Sequence, residues 1–199
     1  DASGNTASCS YTVTVTDNIA PVIVSGCPTS PTLALNSSCE ATLPDYRSTI
    51  VKSDNCTAAG SITLTQTPAP GTTVSTITPT AVTIVATDGN GNSSTPCSFN
   101  VTKTDGIAPT ITCPANIIAN ADAGLCATTI SLGTPIIADN CSGAVATNNH
   151  PSTTYNVGLT TVIWTVTDGS GNTAQCSQTV SILESVAPSI TCPAAQTVI

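Results

Sequence analysis

One pattern limits this chain more than any other: a stretch that occurs three times, each time with a cysteine in the same place. It reads "DASGNTASCSYTVTVTDNIAP" from Asp1, "DGNGNSSTPCSFNVTKTDGIAP" from Asp88 and "DGSGNTAQCSQTVSILESVAP" from Asp168. Self-similarity at a near-constant period marks a tandem architecture, in which one supersecondary unit is used repeatedly. Between the copies lies a second motif, "DNC", at Asp54–Cys56 and Asp139–Cys141, each preceded by a further cysteine, Cys39 and Cys126. One repeat therefore carries four cysteines in fixed order: Cys27, Cys39, Cys56 and Cys97, then Cys113, Cys126, Cys141 and Cys176. Cys9 is a fourth cysteine without its first, and Cys192 a first without its fourth. The expected organisation is a window on a longer array: residues 1–17 the last strand of an upstream repeat, 20–104 and 107–184 complete repeats, and 187–199 the first strand of a downstream one.

The repeat reads as strands. "TTVIWTVTD" alternates, with Val162, Trp164 and Val166 on one face, and a glycine-rich turn leads into "AQCSQTVSI", which alternates again. The first repeat matches with Val82, Ile84 and Ala86, then Cys97, Phe99 and Val101, and the opening stretch adds Cys9, Tyr11, Val13 and Val15. Gln178 stands where Tyr11 and Phe99 stand, either a weak point in that core or a local contact. Short extended runs separated by Pro, Gly, Asn and Asp precede each hairpin ("PVIVSG", "CEATLP", "SITLTQTP"; "PTITCP", "CATTIS", "AVATNN"). About seven short strands per repeat predict an all-β chain of tandem immunoglobulin-like antiparallel β-sandwich repeats.

Composition narrows the class. Charged residues make up 7% of the chain, far below the roughly 25% of ordinary soluble domains, and Thr and Ser supply the surface polarity instead. Three basic against eleven acidic residues give a net charge of −8, which would repel a phosphate backbone and excludes nucleic acid as a partner. The apolar runs are short and broken by Thr or Pro, so no membrane span is expected in this segment. Ten cysteines without a Cys-x-x-Cys pair argue for disulfides rather than zinc, and disulfides for an oxidising compartment. Cores with so few aromatics are thin, and cross-links offset that thinness.

The motifs "D-x-S-G-N-T-A-x-C-S-x-T-V-x-V", "A-P-x-I-x-C-P" and "D-N-C" resemble the hyalin repeat, or HYR domain, an extracellular module similar to immunoglobulin and fibronectin type III domains. Four cysteines allow three pairings per repeat. The resemblance implies one of them, first with fourth and second with third: Cys27–Cys97, Cys39–Cys56, Cys113–Cys176 and Cys126–Cys141, with Cys9 and Cys192 bonded to residues outside the window. Two departures from the repeat pattern stand out, an extra residue in "SGCP" before Cys27 and "TITP" at Thr76–Pro79 where the second repeat has "YNVG".

Catalysis is not expected. His150, the sole histidine, sits in "NNHP" and reads as a solvated loop residue, while the acids recur at turn positions rather than converging once. The recurring acids raise a metal question instead. In an immunoglobulin-like sandwich the "DNC" loop and the last hairpin turn lie at one end, so Asp54 and Asp88 approach the linker Asp17, and Asp139 and Asp168 approach Asp105. Converging carboxylates suit calcium. Ordinary turn chemistry, in which Asp and Asn bond their own backbone, explains the same residues and is the preferred reading. Five Asn-x-Ser/Thr sequons (Asn36, Asn55, Asn92, Asn100, Asn140) are about what chance gives in a chain this rich in Thr and Ser, yet covalent glycans would help so uncharged a surface stay in solution.

The short proline-bearing linkers "TDNIAP", "TDGIAP" and "ESVAP" predict a semi-rigid string of beads. The expected protein is extracellular, secreted or at the cell surface. It is structural or adhesive, forms a stalk or fibre, and its partners are further repeats of the same chain. Two rivals are a module binding surface glycans or receptors, for which Tyr46 and Tyr155 would be the exposed aromatics, and self-association into filaments through open sheet edges.

Overall fold

A computed structural model describes residues 1–184 and 186–195. The chain forms two compact units. The first comprises Asp1–Ala34 and Glu40–Thr104, the second Leu35–Cys39 and the residues from Asp105 onward. Among the described residues each is an immunoglobulin-like β-sandwich of eight strands, and the two sets correspond one to one.

In the first unit, β1 (Val22–Ser25) pairs with β4 (Val51–Ser53), and β3 (Glu40–Thr42) with β6 (Thr73–Ser75). These small ladders face a four-stranded sheet in the order β2 (Thr32–Ala34), β8 (Cys97–Thr104), β7 (Thr80–Thr87), β5 (Thr63–Thr67). The second unit repeats this. β9 (Thr110–Thr112) pairs with β12 (Ile136–Ala138), and β11 (Ala127–Thr129) with β14 (Thr154–Asn156). Its larger sheet runs β10 (Ile117–Asn120), β16 (Thr173–Leu183), β15 (Gly158–Thr167), β13 (Val145–Asn148). One ladder in each unit is parallel, β2 with β8 and β10 with β16, because the edge strand enters the sheet near the start of the repeat and the strand beside it ends the repeat.

The alternation read from the sequence places the cores. Val82 and Ile84 of β7 and Phe99 and Val101 of β8 are buried and pack on Leu43 and Ile50 from the facing layer. In the second unit Val162, Trp164, Val180 and Ile182 pack with Tyr155 of β14. Cys27–Cys97 and Cys113–Cys176 clamp the two layers of their units. Each closes a loop of more than 60 residues, worth about 4 kcal/mol in the loop-closure picture.

The departures in sequence have local causes. The extra residue before Cys27 is absorbed by a register shift in the β1–β4 ladder between Ile23 and Ser25. Gly26 then turns at φ +88°, where a Cβ would lie 1.8 Å from the Thr49 carbonyl oxygen, so no other residue fits. Gln178 is fully buried, and its amide closes a network. Trp164 Nε1 donates to Gln178 Oε1 at 3.0 Å, while Gln178 Nε2 donates to the carbonyls of Ala115 (2.7 Å) and Leu132 (3.0 Å). Gln178 is therefore a contact rather than a gap.

Residues 6–17 take no strand, and Tyr11, Val13 and Val15 are exposed. At the other end, residues 187–195 take none either, and 196–199 lie outside the described residues. Among the described residues no helix is long and apolar enough to cross a membrane.

Candidate metal centres

The repeated hairpin turn is built by its aspartate. Asp88 Oδ1 accepts from the backbone N–H of Asn90 (2.9 Å) and Asn92 (2.8 Å), and Oδ2 accepts from Asn92 Nδ2 (2.7 Å). Asp168 repeats this with Ser170, Asn172 and Asn172 Nδ2 at 2.9, 2.8 and 2.7 Å. Asp1 makes the same turn with Ser3 and Asn5. Gly91 and Gly171, at φ +94° and +91°, supply the left-handed residue that closes it. Turn chemistry is thus real, and in Asp88 and Asp168 it occupies both oxygens. Burial works against their charge, but the Asn92 and Asn172 side chains and the turn N–H groups outweigh it and hold both carboxyls below their ordinary range.

The other aspartates are only half used by their turns. Asp54 Oδ2 accepts from the N–H groups of Cys56 (3.0 Å) and Thr57 (2.8 Å), the Thr57 bond being the main cause of its lowered pKa. Asp54 Oδ1 is buried with no partner. Asp17 Oδ1 caps Ile19 N at 3.1 Å, and its Oδ2 is likewise unpartnered. The second unit shows the same division. Asp105 Oδ1 accepts from Ile107 N and Asn140 Nδ2, both at 3.1 Å, and Asp139 Oδ2 from Cys141 N at 3.3 Å. Asp105 Oδ2, Asp139 Oδ1 and Asn140 Oδ1 are buried without partners.

These residues converge. Asp17, Asp54 and Asp88 bring one carboxylate oxygen each within 4.8 Å of one another, as do Asp105, Asp139 and Asp168. Asp105 is only 6% exposed, so its spare oxygen is hidden from bulk water. Buried, unbonded anionic oxygens facing each other are costly on their own. A hard cation with oxygen ligands would satisfy them, and calcium fits an all-oxygen set drawn from loops. Two asparagines missed in the sequence reading hold the linker in place: Asn92 Nδ2 donates to Asp17 O and Asn172 Nδ2 to Asp105 O, both at 3.1 Å. Their signal was present, since an asparagine ends all three hairpin turns.

Other expected sites fall differently. The pairings Cys39–Cys56 and Cys126–Cys141 are replaced by a single bond, Cys39–Cys141, made within the second unit. The turn carrying Cys39 belongs to that unit, and Asn140 Nδ2 holds it by donating to Asn36 O at 3.1 Å. Cys9, Cys56, Cys126 and Cys192 are exposed thiols. Tyr155 is buried and stacked on half-buried His150 with ring centroids 4.2 Å apart, and Tyr46 packs edge-on against Phe99, so neither forms an exposed aromatic cluster. Of the sequons, Asn92 and Asn140 spend their amide nitrogens on this framework, Asn55 Nδ2 contacts Asp17 and Cys56, and Asn36 and Asn100 are exposed.

Comparison with known proteins agrees with the motif reading. Hyalin of Strongylocentrotus purpuratus is 36% identical over 121 residues, which cover 57% of this chain and 10% of hyalin, so the chain spans about a tenth of that relative. Among solved structures, human protocadherin-24 EC1-2 is similar at 16% identity and TM-score 0.40, over 83% of this chain and all of that one. The protocadherin γB4 extracellular domain gives 14% and 0.42, over 85% and 33%. At such scores the structural likeness carries no inference about binding or assembly. The HYR domain model matches residues 104–182. That stretch is similar to the HYR domain family, and the sequence upstream repeats its motifs.

Proposed function

We propose that this chain is part of an extracellular, secreted or surface-attached, tandem-repeat protein that forms a stalk or fibre, works by structure and adhesion rather than catalysis, and binds calcium at its two aspartate centres. The observation that carries the reading is the recurrence of one three-aspartate centre at equivalent places in two successive repeats. A catalytic site has no need to recur in every repeat, whereas a structural ion does. Two layer-bridging disulfides and the hyalin relative support an oxidising, extracellular setting. The burial of Tyr155 removes the main support for a glycan- or receptor-binding face.

Melting in calcium and in chelator tests the ion. A hundredfold excess over Kd adds about 2.7 kcal/mol, or roughly 10–20 °C for a unit of this size. Asp105→Asn sharpens the test through its sign. Without calcium it relieves like-charge crowding and melts at or above wild type, while in calcium it loses a ligand and melts below. The same displacement in both conditions would refute calcium binding. Electron microscopy of the native material tests the stalk or fibre: thin, beaded, extended particles are expected, and isolated globules of uniform size would overturn it.

A further inference from the structure

We infer that Cys56 and Cys126 are the two halves of a disulfide that joins repeats in series. Cys56 takes a cysteine of the Cys39 type, and Cys126 a cysteine of the Asp-Asn-Cys type, each from another repeat of this kind. The template is the Cys39–Cys141 bond.

Cys56 copies Cys141 in detail. Its N–H donates to Asp54 Oδ2 at 3.0 Å, as Cys141 N–H does to Asp139 Oδ2 at 3.3 Å. Asn55 Nδ2 contacts Cys56 Sγ at 3.0 Å and Asp17 Oδ1 at 3.4 Å, as Asn140 Nδ2 contacts Cys141 Sγ at 3.5 Å and Asp105 Oδ1 at 3.1 Å. The turn that presents Cys141 to its partner is therefore already formed around Cys56, whose thiol is exposed.

Cys126 copies Cys39. Each stands immediately before the strand that pairs with the sixth strand of its repeat, β3 with β6 and β11 with β14. The turns start at equivalent carbonyls and end one residue apart: Asn36 O accepts from Cys39 N–H itself, with Cys39 at φ +59°, while Asp122 O accepts from Leu125 N–H, just before Cys126. Where the Asn140–Cys141 turn rests on Asn36 and Asp105, the matching place beside Cys126 is an open hollow of about 180 Å³. Asp122, Leu125, Cys126, Glu184 and Val186 line it, with Glu184 in the sequence position of Asp105 and Leu125 and Val186 exposed. An Asp-Asn-Cys turn is the shape and chemistry that place accepts.

The step is an oxidation. Two thiols give up two protons and two electrons, one S–S bond forms, and a low-molecular-weight disulfide of the glutathione type is reduced to two thiols through exchange. It rests on the extracellular reading, which supplies that oxidant.

The test is peptide mapping of the protein from its source, alkylated before any reduction. The expected result is Cys56 linked to a peptide of the Cys39 type and Cys126 linked to an Asp-Asn-Cys peptide. A Cys56–Cys126 peptide identifies a second copy as the partner, and a peptide of different sequence but the same motif identifies a neighbouring repeat. Alkylated thiols at both positions, a glutathione cap, Cys39–Cys56 or Cys126–Cys141 peptides, or pairing with Cys9- or Cys192-type peptides would overturn the inference while Cys27–Cys97 and Cys113–Cys176 stay linked. If those two bonds are also found as thiols, the extracellular reading fails as well.

Discussion

Replacing Gln178 with Met keeps the length and most of the volume of the side chain and deletes its amide. Three groups lose their partner: the indole N–H of Trp164, 6% exposed, and the carbonyls of Ala115 and Leu132. A buried donor left unmade costs about 1–3 kcal/mol, and the two carbonyls, nearer water, about 0.5–1 kcal/mol each. The sum is about 2–5 kcal/mol, or roughly 10–40 °C in Tm for a unit of this size. Trp164 is the sole tryptophan, so its fluorescence in a denaturant titration without reductant follows the second unit alone. A cycle with Trp164→Phe, followed in all four variants by far-UV circular dichroism because two of them lack the tryptophan, separates filling from bonding, since Phe has no N–H to strand. The coupling should be at least about 1 kcal/mol. Gln178→Met within about 0.5 kcal/mol of wild type, or additive single and double variants, would refute the view that the amide network holds this core.

Gly26→Ala should destabilise the first unit by at least about 2 kcal/mol, since it adds a left-handed alanine to a direct clash with the Thr49 carbonyl; circular dichroism melting checks it, and an unchanged Tm would refute the bulge geometry. The Asp45 carboxyl is held at about 2 instead of 3.8, first by the Arg47 side-chain hydrogen bond and then by the Arg47 N–H. A carboxyl depressed by folding contributes above its unfolded value and loses that contribution as pH falls towards 2. Carboxyl NMR titration of Arg47→Gln should return Asp45 towards 3.8, and an unmoved midpoint would refute the pairing as its cause.

Much of this molecule could be read from its repeats. Alternation in β7, β8, β15 and β16 put Val82, Ile84, Phe99, Val101, Val162 and Trp164 on buried faces, as a sheet with one wet side requires. The convergence of Asp17, Asp54 and Asp88 was legible because loop position in a sandwich follows from strand order. The strands β2 and β4 were not, although β3, β9 and β11 are equally short and were marked by their flanking Cys and Pro. The first-with-fourth pairing is present, and the second-with-third pairing failed for a reason of its own. A second cysteine meets a third in the same motif order whether both lie in one repeat or in successive ones, and only the seating of the Cys39 turn beside Asn140 decides between them. Gln178 stayed open between a weak point and a local contact because sequence shows the lost aromatic and not the indole that needs its oxygen.

The bonds also bear on how such a chain would carry load. Cys27–Cys97 and Cys113–Cys176 take the loops between them out of any covalent path, because tension passes through the sulfurs. Only the stretch from Cys97 to Cys113 remains to be drawn out between the two clamps, about 55 Å when fully extended. Cys39–Cys141 overlaps both clamps and gives a second covalent route around that stretch, so breaking either outer bond does not by itself release the whole chain. A pairing confined to single repeats would lack that route, since Cys39–Cys56 lies inside the loop already closed by Cys27–Cys97. The Cys39–Cys141 bond and the aspartate centre act on the same turn, because Asn140 and Cys141 follow Asp139 directly. An ion there would fix the geometry of the turn, and the disulfide limits how far it can be pulled from Cys39.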